Sequence, residues 1–212
     1  MNIQTKQKFL QIATESFIES IKTKNKIIAD NQLLILIKMA EIITKSIKNG
    51  GKLLLCGNGG SAADAQHLAT ELLVRLRPQV NRQPIPAISL AIDTSMITAT
   101  GNDYSFDEIF TRPLAGLGKI GDVLLGITTS GKSPNVLAAY KLAKSMSIVT
   151  LGFLGGTGGL ATELCDEKFI VPSNITARIQ ESHITAGHVL MELVEEMLIE
   201  DQYITKLENK VC

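Results

Sequence analysis

Short apolar runs alternate with helical segments along most of this chain, and this alternation constrains the fold more than any other feature. The runs occupy residues 52–56, 87–92, 123–127, 148–153 and 168–171. Apolar runs of this length are typical of buried strands, because buried helices are usually longer. Strands that alternate with helices form a parallel sheet covered on both faces. The sequence therefore predicts an α/β fold, a three-layer α-β-α sandwich around a five-stranded parallel sheet, preceded by N-terminal helices.

The N-terminal segment, from residue 5 to about residue 48, shows helical periodicity. Its apolar positions lie on one stripe that includes Phe9, Ala13, Phe17 and Ile21. A second helix is predicted over 31–48, because Asn49-Gly50-Gly51 is a strong stop signal. A last long helix is predicted over about 175–203. With no linker or repeat in the sequence, we expect one domain over 1–212, with a helical extension over about 1–50 suited to oligomerisation.

Composition excludes several classes of protein. The 21 Lys and Arg residues balance 21 Asp and Glu residues, so no basic excess indicates nucleic acid or a membrane surface as a partner. The longest apolar runs are too short to cross a bilayer, and the N-terminus lacks the apolar core of a signal peptide. Cys56, Cys165 and Cys212 are odd in number and lack a metal spacing, so we interpret them as reduced thiols. A cytoplasmic protein is expected.

Two of the predicted strands end in loops rich in glycine and hydroxyl groups, and each loop leads into a helix. The candidate binding residues of these loops are Asn58, Gly59, Gly60, Ser61, Thr128, Thr129, Ser130 and Ser133. Ser133 suits the N-cap of the second helix and Pro134 its first position. Helix N-termini attract anions, and ligands of doubly wound sheets bind at the carboxyl ends of strands. The loops therefore predict a phosphate site, the alternative being that they only form tight turns.

Both loops also match better-known nucleotide patterns. Gly57, Gly59 and Ala62 fit the dinucleotide fingerprint, which needs an acidic residue about 20 positions later. The first acidic residue after Glu71 is Asp93, which disfavours dinucleotide binding. Residues 126–133 match the P-loop expression, but a P-loop begins where its strand ends, whereas this match begins inside the predicted strand 123–127. An NTPase stays open as an alternative.

All three histidines fall in two short segments that also contain a carboxylate. His67 and Glu71 are four residues apart in a predicted helix and share one face. Such a pair can bind a metal or act as a base and its partner, although exposed pairs at this spacing are common. In the last helix Gln180 and His188 are roughly 12 Å apart along the axis. We therefore hypothesise that a shared site takes these two residues from different subunits; His183 faces elsewhere on a straight helix.

These segments resemble the sugar isomerase (SIS) domain family and, within it, the phosphoheptose isomerases. The resemblance is carried by residues 56–71, 93–95, 101–104, 121–131 and 177–188. It implies a flavodoxin-like or Rossmann-like SIS domain. It also implies an aldose–ketose isomerase that converts sedoheptulose 7-phosphate to D-glycero-D-manno-heptose 7-phosphate through an enediol, for lipopolysaccharide or capsule precursors. Members are cytoplasmic homotetramers with active sites at subunit interfaces, and one Zn²⁺ per subunit is implied.

The resemblance also assigns roles to individual residues. Glu71 is implied as the base that moves a proton between the first two carbons, and His188 as its acid/base partner. The implied zinc ligands are His67, Glu71, Gln180 and His188. The implied substrate-binding residues are the eight loop residues named above together with Glu71, Asn102, Asp103 and Gln180.

Two positions depart from the family pattern, and two alternative functions stay open. Thr128 replaces a usual Ser and keeps the hydroxyl, whereas Lys132 replaces a common Asn and adds a positive charge near the predicted phosphate site. A non-catalytic SIS-domain scaffold that binds a replication initiator protein shares several motifs. That class lacks the second histidine and the Gly-Asn-Asp-Tyr pattern, which this chain has at His188 and 101–104. A different sugar-phosphate isomerase of the same domain family is the other alternative.

Overall fold

A computed structural model describes residues 1–205 and 207 of the chain. Its centre is a five-stranded sheet in the order β2-β1-β3-β4-β5, and every neighbouring pair is parallel. The strands are β1 (Leu53–Gly57), β2 (Ala87–Ser89), β3 (Val123–Thr128), β4 (Val149–Gly155) and β5 (Glu167–Val171). The predicted parallel sheet is therefore confirmed.

Seven α-helices connect and flank these strands within the described residues. They are α1 (Ile3–Ala29), α2 (Gln32–Lys48), α3 (Gly60–Thr70), α4 (Thr94–Asp103), α5 (Thr111–Leu117), α6 (Pro134–Ser145) and α7 (Thr176–Glu200). A π-helical turn, Glu71–Arg75, continues α3, and short 3-10 turns occupy Phe106–Glu108 and Gly159–Glu163. None of the helices in this part of the chain has the length and apolar character needed to cross a membrane.

The sheet separates two hydrophobic clusters, because successive side chains of a strand point to opposite faces. Leu53 and Leu55 of β1 join a cluster that contains side chains of α2, α3 and α7. Leu54 and Cys56 of the same strand join a second cluster that contains side chains of α5 and α6. Helices therefore cover both faces, and the predicted three-layer α-β-α arrangement is confirmed.

One predicted strand is shorter than its apolar run. The run over 87–92 predicts a strand of that length, but β2 ends at Ser89. The Ser89 hydroxyl accepts a hydrogen bond from the backbone N–H of Ala91, and such a local bond competes with strand pairing. Asp93 then caps α4 by accepting from the Met96 N–H. The chain turns here because short polar side chains satisfy its backbone.

The first helix contacts the rest of the chain along only part of its surface. Thr23 and Ile27 are its buried residues, and its middle is attached to α7 where Arg178 donates to the Ser16 carbonyl at 2.7 Å. The predicted apolar stripe is exposed instead: Phe9 is 53%, Phe17 75% and Ile21 58% exposed. Among the described residues, the apolar stripe of α1 therefore has no partner in the same chain.

The two described cysteines are free thiols in the core. Burial raises the pKa of Cys56 to about 12 and that of Cys165 to about 11. Because the thiolate is the reactive form, both are inert at neutral pH. Cys212 lies outside the described residues.

Candidate active site

The two predicted loops meet where the direction of strand order changes. In the order β2-β1-β3-β4-β5 the chain reverses between β1 and β3, and ligands of open α/β sheets bind at such a switch point. The first loop connects β1 to α3 and the second connects β3 to α6. Neighbouring parallel strands bring both loops to the same edge of the sheet.

A pair of amide side chains joins the two loops. Asn58 Nδ2 donates to Asn135 Oδ1 at 2.8 Å, and Asn135 Nδ2 donates to Asn58 Oδ1 at 2.9 Å. Asn135 is buried, and its oxygen also accepts from the Val136 N–H. Sequence reasoning missed Asn135, because its one signal is an asparagine directly after Pro134 in the first turn of α6.

The second loop is held in one shape by its own hydroxyl groups and by a close approach from the next loop. The Thr128 and Ser133 hydroxyl oxygens are 3.2 Å apart, and Ser130 Oγ accepts from the Lys132 N–H. Gly131 has φ +62°, and a Cβ there would lie 1.9 Å from the Gly158 carbonyl oxygen. Only glycine fits this position, so a phosphate would meet preorganised donors.

An open cavity of about 260 Å³ lies beside this loop. The residues that line it are Thr129, Ser130, Lys132, Gly155, Gly156, Thr157, Ser173, Asn174, Thr176 and Ile179. Among these described residues Lys132 is the one with a charged side chain. Hydroxyl groups, a lysine and the first turn of α7 therefore surround a space that suits an anion.

The histidine segments converge on one cluster. His67 Nε2 lies 2.8 Å from His188 Nε2 and 3.1 Å from Glu71 Oε1. The three ligand atoms all lie within 4.8 Å of one another. At 2.8 Å at most one of the two ring nitrogens can carry a proton, since two N–H groups cannot face each other. The cluster therefore presents nitrogen and carboxylate lone pairs to one point.

This donor set fits a metal ion. Two histidines and one glutamate are a ligand set of catalytic zinc sites, and Zn–N bonds of about 2.0 Å place tetrahedral ligands about 3.3 Å apart. The observed separations of 2.8 and 3.1 Å are close to that spacing. His67, Glu71 and His188 could therefore hold zinc with small movements of their side chains.

Two helices bring the cluster together. His67 lies in α3 and Glu71 opens the π-helical turn that follows, a feature that often marks functional sites. His188 lies on α7, and the preceding Gly187 lets this helix approach α3: a Cβ there would lie 2.6 Å from Leu68 Cδ1. Sequence reasoning missed the packing role of Gly187.

Gln180 occupies a different place along the same helix pair. Its side-chain amide packs on the start of α3, where a Cβ on Gly60 would lie 2.7 Å from Gln180 Nε2. Gly60 precedes His67 by seven residues, which is about 10 Å of helix. Gln180 and His188 of one chain therefore contact opposite ends of α3. A shared site that takes these two residues from different subunits stays a prediction.

A further carboxylate lies beside the cluster. Asp64 is one turn before His67, and its Oδ2 is buried without a hydrogen-bond partner among the described residues. Burial raises the pKa of Asp64, and the neighbouring His67 and His188 oppose that rise. Sequence reasoning missed Asp64, although its spacing from His67 and Glu71 puts all three on one helix face.

His183 lies in the core, away from the cluster. Its Nε2 is 3.0 Å from the Leu154 carbonyl oxygen, to which it must donate, and its ring stacks on Phe153. Burial lowers the pKa of His183 to about 4. This histidine is therefore neutral at pH 7 and anchors α7 to β4.

Asn102 and Asp103 lie at the end of α4. Asn102 Nδ2 donates to Asp103 Oδ1 at 2.8 Å, and both residues are exposed. Asp103 lines a cleft with Thr100, Tyr104 and Arg112. In the part of the chain that the structure describes, these two side chains hydrogen-bond to no other predicted site residue.

The fold and the cluster agree with what comparison to known proteins finds. A family model described as SIS domain matches residues 16–155, which is more than half of the chain. The class defined by fold and site is therefore the SIS domain. The chain belongs to the phosphoheptose isomerase family of SIS domain proteins, as the following relatives show.

The relatives share both sequence and structure with this chain. The phosphoheptose isomerase of Pelodictyon phaeoclathratiforme is 46% identical over 192 residues, which are 90% of each chain. That of Aquifex aeolicus is 52% identical over 165 residues, 78% of this chain and 85% of the relative. The solved phosphoheptose isomerase of Neisseria gonorrhoeae is 37% identical with a TM-score of 0.83, covering 89% of this chain and 99% of its own. The family predicted from the motifs is confirmed.

Proposed function

We propose that this chain converts sedoheptulose 7-phosphate to D-glycero-D-manno-heptose 7-phosphate. The observation that carries the proposal is the cluster of His67, Glu71 and His188, assembled from separate segments of one chain. His67 and Glu71 lie on the helix that begins at the first loop and on its π-helical continuation, in a protein whose relatives are phosphoheptose isomerases. A carboxylate and an imidazole held this close can move protons on a bound sugar.

The reaction needs one proton to move between carbons and one between oxygens. Glu71 takes a proton from C1 of the ketose while the carbonyl oxygen on C2 gains one from His188, which leaves an enediol. His188 then removes the proton from the C1 hydroxyl, and Glu71 returns its proton to C2. The aldehyde forms at C1, and both side chains return to their starting states.

The hydroxyl-rich loop holds the other end of the substrate. Thr128, Thr129, Ser130 and Ser133 would donate to the phosphate oxygens, with the N-terminus of α6 behind them. The amide pair of Asn58 and Asn135 keeps this loop against the first one. With the phosphate bound there, the length of the sugar determines where the reacting carbons C1 and C2 lie relative to Glu71 and His188.

Zinc is proposed as a resident metal, one ion per subunit. His67, Glu71 and His188 would hold it, with Gln180 as the fourth residue of the ligand set. When bound, zinc supplies Lewis-acid polarisation of substrate oxygens. With Glu71 and His188 both in the ligand set, the carboxylate oxygen and the ring nitrogen that exchange protons with the substrate would be the ones free of the metal.

We also propose a cytoplasmic homotetramer with active sites at subunit interfaces. The exposed stripe of α1 supports assembly, because large apolar stripes mark interaction surfaces. The placement of Gln180 at Gly60, and of Asn102 and Asp103 on α4, suits residues that serve a neighbouring subunit's site.

We propose further that 1–212 acts as one SIS domain with 1–50 as its extension, and that the product serves lipopolysaccharide or capsule synthesis.

The test is turnover of sedoheptulose 7-phosphate by purified protein, with zinc added and with a chelator. We expect the aldose product with zinc and a loss of rate with the chelator that zinc restores. A folded protein that forms no product in either condition contradicts the isomerase. Such a result would redirect attention to the scaffold alternative, which requires no cluster of His67, Glu71 and His188.

A further inference from the structure

A buried arginine holds the turn that carries Glu71. The Arg82 side chain is 0% exposed. Its Nη2 donates to the Glu71 carbonyl at 2.8 Å, and its Nη1 donates to the Leu72 carbonyl at 2.8 Å. The planar guanidinium thus bonds two successive carbonyls of the π-helical turn at once, which a lysine cannot reproduce.

The Leu72 carbonyl needs a donor from outside the helix. It is among the last four carbonyls of the Glu71–Arg75 turn that continues α3, and the last four carbonyls of a helix lack intrahelical partners. Arg82 and the Ile85 N–H, which donates to the Leu72 carbonyl at 3.0 Å, supply it, and Arg82 adds a bond to the Glu71 carbonyl. A cation at the C-terminal end of a helix also interacts favourably with the helix dipole.

The same arginine is fixed to the helix that carries His188. Arg82 Nε donates to Glu195 Oε1 at 2.6 Å, and the Glu195 side chain is 1% exposed. Glu195 follows His188 by seven residues on α7, so the two residues lie on one face of that helix. The helix α7 therefore holds this segment at two places: His188 lies 2.8 Å from His67, one turn before Glu71, and Glu195 holds Arg82.

We propose that Arg82, held by Glu195, is a positioning residue that sets the Glu71 carboxylate relative to His188. The inference rests on the proposed function for its kinetic consequence. Its structural content, that Arg82 fixes the Glu71–Arg75 turn against α7, stands on the hydrogen bonds alone. A misplacement of about 1 Å in a reacting group can cost roughly 10²-fold in rate.

A neighbouring arginine provides a matched control. Arg77 Nε donates to the other oxygen of the same carboxylate, Glu195 Oε2, at 2.7 Å, and Arg77 also pairs with Glu196. Arg77 makes none of the recorded bonds to the carbonyls of the Glu71 turn. Loss of Arg77 therefore weakens the same charge network while the Arg82 bonds to the carbonyls of the turn remain.

The experiment compares Arg82→Lys with Arg77→Lys. Arg82→Lys keeps a positive charge beside Glu195 but loses the paired bonds to the Glu71 and Leu72 carbonyls. We expect kcat to fall by about tenfold with KM for sedoheptulose 7-phosphate within about twofold, and Arg77→Lys to keep both values within about twofold. Equal losses in the two variants, or an unchanged kcat in Arg82→Lys, overturn the inference.

A second variant guards against misfolding of the first. Glu195→Asp keeps the negative charge that faces both arginines but withdraws the carboxylate by about 1.5 Å, one carbon–carbon bond. It should lower kcat in the same direction by a smaller factor, again with little change in KM. A Glu195→Asp enzyme with the kcat of the natural protein overturns the inference even if Arg82→Lys fails to fold.

Amide hydrogen exchange separates this inference from the proposed function. Exchange over residues 71–76 should be faster in Arg82→Lys than in the natural protein, and unchanged in Arg77→Lys. If the natural protein shows no turnover, only the proposed function is contradicted. The positioning role can still be tested, because the exchange comparison needs no substrate. Identical exchange of this segment in all three proteins overturns the positioning role.

Discussion

The longest helices of the molecule, α1 with 27 residues and α7 with 25, use their apolar faces in opposite ways. α7 buries ten residues, among them His183 and Glu195, whereas α1 buries Thr23 and Ile27. One chain is therefore enough to explain the apolar face of α7. The exposed stripe of α1 has an explanation only if another surface covers it. The comparison separates what one chain explains from what the proposed assembly would add.

The largest effect is expected at the cluster that α7 completes. Glu71→Gln keeps the size and hydrogen-bonding capacity of the side chain but removes the base. We expect kcat to fall by roughly 10³-fold while the mass by light scattering stays that of the natural protein. Glu163→Gln, an exposed glutamate on a 3-10 turn, is the matched control and should retain full turnover. A Glu71→Gln enzyme of near-natural rate would remove Glu71 from the role of base.

The second effect belongs to α1 and is expected in assembly rather than in folding. Phe17→Glu places a charge in the middle of the exposed stripe, where burial in an interface would be costly. We expect a tetramer to become a smaller species by light scattering, with an unchanged far-UV circular dichroism spectrum. Turnover should decrease as the tetramer is lost, because the proposed active sites lie between subunits.

The control for Phe17→Glu lies on the opposite side of α1. Lys8→Glu is nine residues earlier, which is half a rotation of the helix away, and it also adds negative charge. It should leave the assembly intact. If Phe17→Glu keeps the natural mass, the stripe is not the interface and the contrast between α1 and α7 loses its explanation.

The alternation of apolar runs predicts the sheet, and the four-residue spacing of His67 and Glu71 predicts their shared face. These features depend on local periodicity, which the sequence displays directly. Arg82 and Glu195 are 113 residues apart in the chain, so their pairing depends on how α7 packs. Asn135 and Gly187 are similar cases, since neighbouring elements define their roles. The sequence indicates that the N-terminal extension suits oligomerisation, but α1 and α7 are both amphipathic, and only packing decides which stripe one chain buries.

A third prediction concerns pH and the buried face of α7. His183 has an ordinary pKa near 6.5, which burial lowers to about 4 in the folded protein. Between these values the unfolded chain binds a proton that the folded protein excludes, so the free energy of unfolding falls as pH decreases. The contribution of His183 to the free energy of unfolding is fully present above pH 6.5. It is lost as the pH falls to about 4, and the total loss is about 3 kcal/mol. Urea unfolding at a series of pH values measures this slope.

The variant His183→Gln isolates that slope. Glutamine can still donate to the Leu154 carbonyl but does not titrate. The difference in the free energy of unfolding between the variant and the natural protein at pH 7.5 measures the packing contribution of His183. The change of that difference between pH 6.5 and 4 measures the contribution of its protonation. Parallel curves for the two proteins over this range would show that His183 does not control the acid stability of α7.

The smallest effect is expected at the start of α7, where Lys132 shares a cavity with Thr176 and the proposed phosphate-binding residues Thr129 and Ser130. Lys132→Asn introduces the residue that the resemblance predicts at this position and removes the positive charge. We expect KM for the sugar phosphate to rise by roughly threefold, since an exposed ion pair contributes under about 1 kcal/mol. The increase should shrink at high salt, where the charge is screened, and kcat should stay unchanged. Lys141→Asn, an exposed lysine on α6, controls for net charge. An equal rise of KM in both variants would assign the effect to long-range charge, and the cavity at the start of α7 would then have no part in holding the phosphate.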